Sequence, residues 1–97
     1  MHVATCRIAL RLPENDNLKG KRAVIGSLSS RIRSKFNVSV AEVGEQEAWQ
    51  IASMGIAAVS NSARHSEEVI DHIIGFIEET RPDVEIIEIE RETLSGF

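Results

Sequence analysis

The chain has 97 residues, 42% of them hydrophobic and 27% charged, with a formal net charge of −4. A chain this short buries roughly two-thirds of the surface its unfolded form exposes, which fits one domain over residues 1–97 and excludes a disordered one. A lone cysteine, Cys6, excludes an internal disulfide, no apolar run approaches the ~20 residues of a transmembrane helix, and the N-terminus opens on a strand pattern without a secretory apolar segment, so a cytoplasmic protein with no membrane partner is expected.

His2 to Leu12 alternates strictly. Ala4, Cys6, Ile8, Leu10 and Leu12 fall on one face, and Val3, Thr5, Arg7, Ala9 and Arg11 on the other, which predicts a strand with one apolar and one mixed face. Pro13 ends it, and Asp16 or Asn17 supplies a helix cap. From Leu18 to about Lys35 the spacing is helical. Leu18, Val24, Ile25, Leu28 and Ile32 share a stripe, with Phe36 at its end. Lys19, Arg22 and Arg33 lie on the opposite flank, and Arg31 and Lys35 near the other border of the stripe. Lys21 is the anomaly, because it points into the apolar sector of the first turn. It either snorkels past the strand end or has its ammonium held for a purpose.

Asn37 to Val43 reads as a second strand, the acidic tract Gly44 to Ala48 as a hairpin connection or bulge, and Trp49 to Ser60 as a third strand with Ala52, Met54, Ile56 and Ala58 inward. Asn61 or Ser62 opens a second helix reaching about Glu79, with Val69, Ile70, Ile73, Ile74, Phe76 and Ile77 as its buried face. Pro82 breaks the pattern. Val84 to about Glu92 is a fourth strand, with Ile87 and Ile89 on one face and Val84 and Ile86 on the other, and Leu94 to Phe97 is expected to fray.

The order β-α-β-β-α-β, with two one-sided helices, predicts the ferredoxin-like α+β arrangement: a four-stranded antiparallel sheet carrying both helices on one face. Right-handed crossovers place the first and third strands at the centre. The other face stays open. Val3, Ile51, Val59, and with them Val84 and Ile86, are the apolar residues expected to populate it, and that face or the isoleucine-rich fourth strand is the candidate surface for a homodimer.

The stretches LKGKRAVIGSL and FNVSVAEV, and the tryptophan within EAWQIASMGIAAVSN, resemble the YlxP-like family of small bacterial proteins over nearly the whole chain. The resemblance implies a ferredoxin-like fold and an uncharacterised role. Family members are commonly encoded beside translation-initiation and ribosome-maturation genes, so it also implies a link to RNA or ribosomes. Gly20 departs from the family, which usually has an acidic or polar helix former there, as does Gly44-Glu45, where the family tends to carry Asp and His.

Charge is divided along the chain. Residues 1–36 carry eight basic side chains against two acids, and residues 37–97 carry three against thirteen. Either the two halves interleave on folding and neutralise each other, or the basic half faces a polyanion. In the second case the phosphate-binding residues are Lys19, Lys21, Arg22, Arg31, Arg33 and Lys35, with Arg7 and Arg11 nearby. Stacking of bases on the sheet is not expected, because the chain has no tyrosine and its central strands offer only Trp49, at a strand end.

Catalysis has little to stand on. Cys6 sits on an apolar face, Ser60, Ser62 and Ser66 near His65 have no orienting acid, and Gly20 and Gly26 do not form a phosphate loop. His65, Glu68 and His72 share a flank of the second helix, but the histidines are two turns apart, so no metal is expected. Glu42, Glu45 and Glu47 are read as a solvated acidic loop beside Trp49, and a small enzyme using Glu42, Trp49 and His65 is the least favoured reading. No cofactor is expected. The leading expectation is a non-enzymatic accessory protein that contacts structured RNA or ribosomal particles through its basic first helix. The alternative is a homo-oligomeric interaction or small-ligand module.

Overall fold

The computed structural model describes residues 1–44 and 48–97. The elements run β1 (His2–Arg11), α1 (Leu18–Lys35), β2 (Ser39–Glu42), β3 (Ile51–Ser60), α2 (Ala63–Thr80) and β4 (Glu85–Ser95). All neighbouring strands are antiparallel in the order β2-β3-β1-β4, so β1 and β3 are central as their hydrophobic patterns require. The chain has the ferredoxin-like fold. The connection read at Gly44 to Ala48 includes Glu45, Gln46 and Glu47, which lie outside the described residues.

The core is a layer between the sheet and the two helices. Ala4, Cys6, Ile8 and Leu10 of β1, and Ala52, Met54, Ile56 and Ala58 of β3, are all buried against Ile25, Leu28 and Ile32 of α1 and Ile70, Ile73 and Ile77 of α2. Both helices start on a side-chain cap. Asn17 accepts the Gly20 N–H at 2.7 Å and Ser62 accepts the His65 N–H at 3.2 Å, satisfying donors that have no partner within the helix. At the far end of α1, Phe36 meets Phe76 of α2 edge to face, with centroids 5.7 Å apart, which fixes the two helices against each other.

β4 departs from its sequence pattern in two ways. A bulge opposite Ala9 and Leu10 inserts a residue, so Ile86 pairs with Leu10 while Ile89 pairs with Ile8. Strict alternation is therefore lost. Val84 is buried and Ile86 packs against the core, so neither populates the open face as expected. The strand also continues through the segment expected to fray: Leu94 pairs with Val3, and Ser95 with His2. The Met1 amino group adds a bond to the Phe97 carbonyl at 3.1 Å. β2 and β3 are both shorter than their patterns suggest: Asn37, Val38 and Val43 lie outside β2, and Trp49 and Gln50 outside β3.

The open face is ordered by this register. From β3 through β1 to β4, successive rows are Val59–Val3–Leu94, Ala57–Thr5–Glu92, Gly55–Arg7–Glu90, Ser53–Ala9–Glu88 and Ile51–Arg11–Glu85. One end is apolar. The β1–β4 half is charged, and the β3 half is small-sided.

Candidate nucleic-acid interface

Lys21 is one of the six candidate cations of α1, and the structure sets it apart from the other five. Its position in the apolar sector of α1 carries it inward, and it is only 1% exposed. A buried ammonium needs partners, since the charged form cannot be left unsolvated in the interior. Its Nζ donates to the Ala48 carbonyl at 2.8 Å and lies 3.2 Å from Oε2 of Glu42. That carboxylate oxygen is off the line of a hydrogen bond, so the Glu42 contact is an ion pair held by charge alone. Glu42 ends β2 and Ala48 precedes β3. One side chain from α1 therefore ties together the two strand ends that the connection joins.

The β1–α1 loop reinforces the same place. The Leu12 N–H donates to the Gln50 carbonyl at 2.7 Å. The Asn15 amide donates to the Trp49 carbonyl and, at 2.7 Å, to that of Asn17. Gly20 makes this possible, for a Cβ there would stand 2.2 Å from Oδ1 of Asn15. The helix-weakening glycine in the first turn is thus the space the Asn15 side chain occupies. Lys21 and Gly20 are two oddities of one turn, and folding accounts for both.

Lys19, Arg22, Arg31, Arg33 and Lys35 remain on the surface, and all five are exposed. Arg33 reaches the Val40 carbonyl at 3.5 Å, and the Lys35 ammonium lies 4.8 Å from the Phe76 ring centre. None of the five forms an ion pair among the described residues, and α1 itself contains no acid. Between the two cationic flanks run Ala23, Gly26, Ser27, Ser30 and Ser34, all exposed and all small.

The arginines of β1 behave differently. Arg7 and Arg11 lie on the sheet face away from the helices, not beside the α1 cations as expected. Arg7 pairs with Glu90 at 3.1 Å and Arg11 with Glu85 at 3.4 Å. Interleaving of the two halves of the chain is therefore real on the sheet. It does not extend to the outer face of α1.

The remaining candidates separate. Glu42 pairs with Lys21, while Glu45 and Glu47 lie outside the described residues. Glu42 sits opposite Met54 and His65 follows Ser60, so at ~3.3 Å per strand residue about 20 Å of β3 lies between the two ends of the supposed constellation. Ser62 caps α2, the Ser66 hydroxyl donates to the Ala63 carbonyl at 2.7 Å, and the Ser60 hydroxyl accepts the Ser62 N–H at 3.1 Å. Glu68 pairs with Arg64 at 2.9 Å, and no group of three metal-ligating side chains forms among the described residues. Burial pushes the Cys6 thiol above its ordinary range, with the Arg91 charge acting weakly the other way, which fits an inert core residue. Among the described residues, no helix is long and apolar enough to cross a membrane.

The family model described as "Protein of unknown function (DUF503)" matches residues 3–91. The Uncharacterized protein YlxP of Bacillus subtilis (strain 168) is 44% identical over 69 residues, covering 71% of this chain and 74% of that protein. Among solved structures, a de novo designed protein with ferredoxin fold superposes with a TM-score of 0.61 at 12% identity, over 99% of this chain and 88% of that one. A dimeric ferredoxin-like protein from an uncultured marine organism superposes with a TM-score of 0.53 at 8% identity, over 100% and 99%.

The Lys21–Glu42 contact predicts an asymmetry in stability. Glu42→Met takes an acidic partner from a fully buried ammonium and is expected to cost about 3 kcal/mol in urea unfolding, the low end for breaking a buried pair because Glu42 is 22% exposed and the Ala48 carbonyl stays in place. Lys21→Met leaves Glu42 with its Oε2 buried, but on a side chain that is 22% exposed and can turn toward water, and is expected to cost less, about 1–2 kcal/mol, and the double variant is expected to recover much of the Glu42→Met loss. Equal and additive losses would show that the two residues do not interact.

Proposed function

This chain belongs to the DUF503 family of proteins of unknown function, and we propose that it is a non-enzymatic cytoplasmic protein that contacts structured RNA or a ribosomal particle through the outer face of α1. The observation that carries the reading is the sorting of charge. Where cations face acids, on the sheet, they are paired. Along α1, Lys19, Arg22, Arg31, Arg33 and Lys35 face outward with no ion-pair partner among the described residues. Eighteen residues of α-helix are about 27 Å long, so these cations sample a length of phosphate backbone rather than one anion.

The mechanism is electrostatic positioning. Each cation that neutralises a phosphate releases condensed counterions, and the gain in their entropy drives association. The small side chains between the two cationic flanks let a backbone approach the helix closely. The net charge of −4 disfavours indiscriminate binding, so the polyanion meets α1 and is repelled by the glutamates of β4. Lys21 takes no part in this reading.

A second reading has its own observation. The row Val59–Val3–Leu94 forms an apolar end to the open face, and Val59 is 62% exposed. β4 is an edge strand, but its bulge and its glutamates discourage edge pairing. A face-to-face contact between two copies is therefore the form of homodimer this surface favours. The ferredoxin-like neighbour described as dimeric is consistent with it.

Reversing Arg22 and Arg33 together to glutamate is expected to weaken binding to ribosomal subunits by about tenfold or more at low salt, and to flatten the log–log salt dependence by about two, one per cation removed. No binding at low salt, or binding unaffected by the reversal, contradicts the first reading. For the second, sedimentation of the wild-type chain is expected to show dimers at high concentration and Val59→Glu only monomer. Monomer alone for both removes it.

A further inference from the structure

Trp49 is the single tryptophan of the chain, and it is 55% exposed. Sequence places it at the start of β3, as a residue of the sheet. It lies instead just before the strand, in the segment gathered by α1 and the β1–α1 loop. Its own carbonyl is held by the Asn15 amide, the preceding Ala48 carbonyl by Lys21, and the following Gln50 carbonyl by the Leu12 N–H. Three consecutive peptides are thus fixed around an indole that the fold leaves uncovered. An indole that serves the core is buried, and one on a loose segment costs ordering entropy when it binds. This one is exposed and its backbone is already ordered.

We infer that the Trp49 indole is a stacking platform for an unpaired base of the RNA held by α1. The inference rests on the RNA reading above and names the feature of the RNA that the cations alone cannot select. One lysine side chain, that of Lys21, spans the gap between the first turn of α1 and the peptide preceding Trp49. Lys19 and Arg22 flank Lys21 in that same turn and point outward. A strand whose phosphates follow the cations to the start of α1 reaches the end of the molecule at which the Trp49 segment is held. A paired duplex keeps its bases stacked on one another and cannot use that face, whereas a bulge, loop or single-stranded end can. Stacking needs no sequence-specific donor or acceptor, so the preference is for unpaired nucleotides of any sequence.

The indole emission reports on the event directly. The full chain is titrated at low salt with an unstructured oligoribonucleotide and with an RNA duplex of the same length. The unpaired strand is expected to quench Trp49 and to bind about fivefold to a hundredfold more tightly than the duplex, the range for one stacked base. Trp49→Ala is expected to abolish that preference while keeping the salt dependence, and Trp49→Phe to keep part of it. Circular dichroism of both variants checks that the exposed side chain is dispensable for folding. Equal binding of the two RNAs without quenching, or an unchanged preference in Trp49→Ala, overturns this inference and leaves the α1 reading standing. Binding of neither RNA overturns both. Emission that shifts with protein concentration alone assigns the indole to a contact between copies and also overturns it.

Discussion

A buried ammonium organises this molecule. Lys21 is only 1% exposed, and the fold must supply its counter-charge and its acceptor in the interior. Glu42 and Ala48 do so from the two ends of the β2–β3 connection. The consequence is geometric. β2 is only four residues long and lies at the edge of the sheet, so ladder bonds alone hold it weakly. Attachment to the first turn of α1 gives it a second anchor. The same clasp fixes the peptides around Trp49, with Asn15 and Leu12 adding the remaining bonds.

That clasp also divides the positive charge of the first third of the chain into three populations. Lys21 is consumed by folding. Arg7 and Arg11 are neutralised across the sheet by Glu90 and Glu85, in surface pairs worth little to stability but enough to quench the local field. Lys19, Arg22, Arg31, Arg33 and Lys35 are left on a helix that contains no acid of its own. Cations at the N-terminus of a helix oppose its dipole, so Lys19 and Arg22 are placed against local electrostatics rather than for it. The fold gives them no counter-ion among the described residues.

Much of the architecture was legible in the residues. β1, α1, β3 and α2 each bury one face over a long, regular period, and two such helices can cover only one side of a four-stranded sheet. β4 was not legible in the same way. Val84, just before the strand, is buried and Ile86 packs against the core, and the bulge that breaks the alternation after Ile86 leaves no mark in a run of isoleucine and glutamate. Its last residues look like a tail because Leu94 stands among polar neighbours, yet pairing with Val3 makes them strand. Lys21 was visible as an oddity, but its partner was not. Glu42 reads as one more acid in an acidic stretch, and only the crossover of α1 brings it to the lysine. Gly20 looked like a flaw in a helix because the Asn15 side chain that needs the space lies outside the helical period.

The central claim is that folding and function draw on different cations of one helix. The most direct measurement compares ribosomal-subunit binding of Lys21→Met with that of the wild-type chain across a salt series, at a temperature where circular dichroism shows both folded. If Lys21 serves the fold alone, affinity stays within about twofold and the salt slope is unchanged, although the variant unfolds at lower urea. A salt slope reduced by about one, with binding weakened accordingly, would show that Lys21 reaches phosphate and would contradict the account.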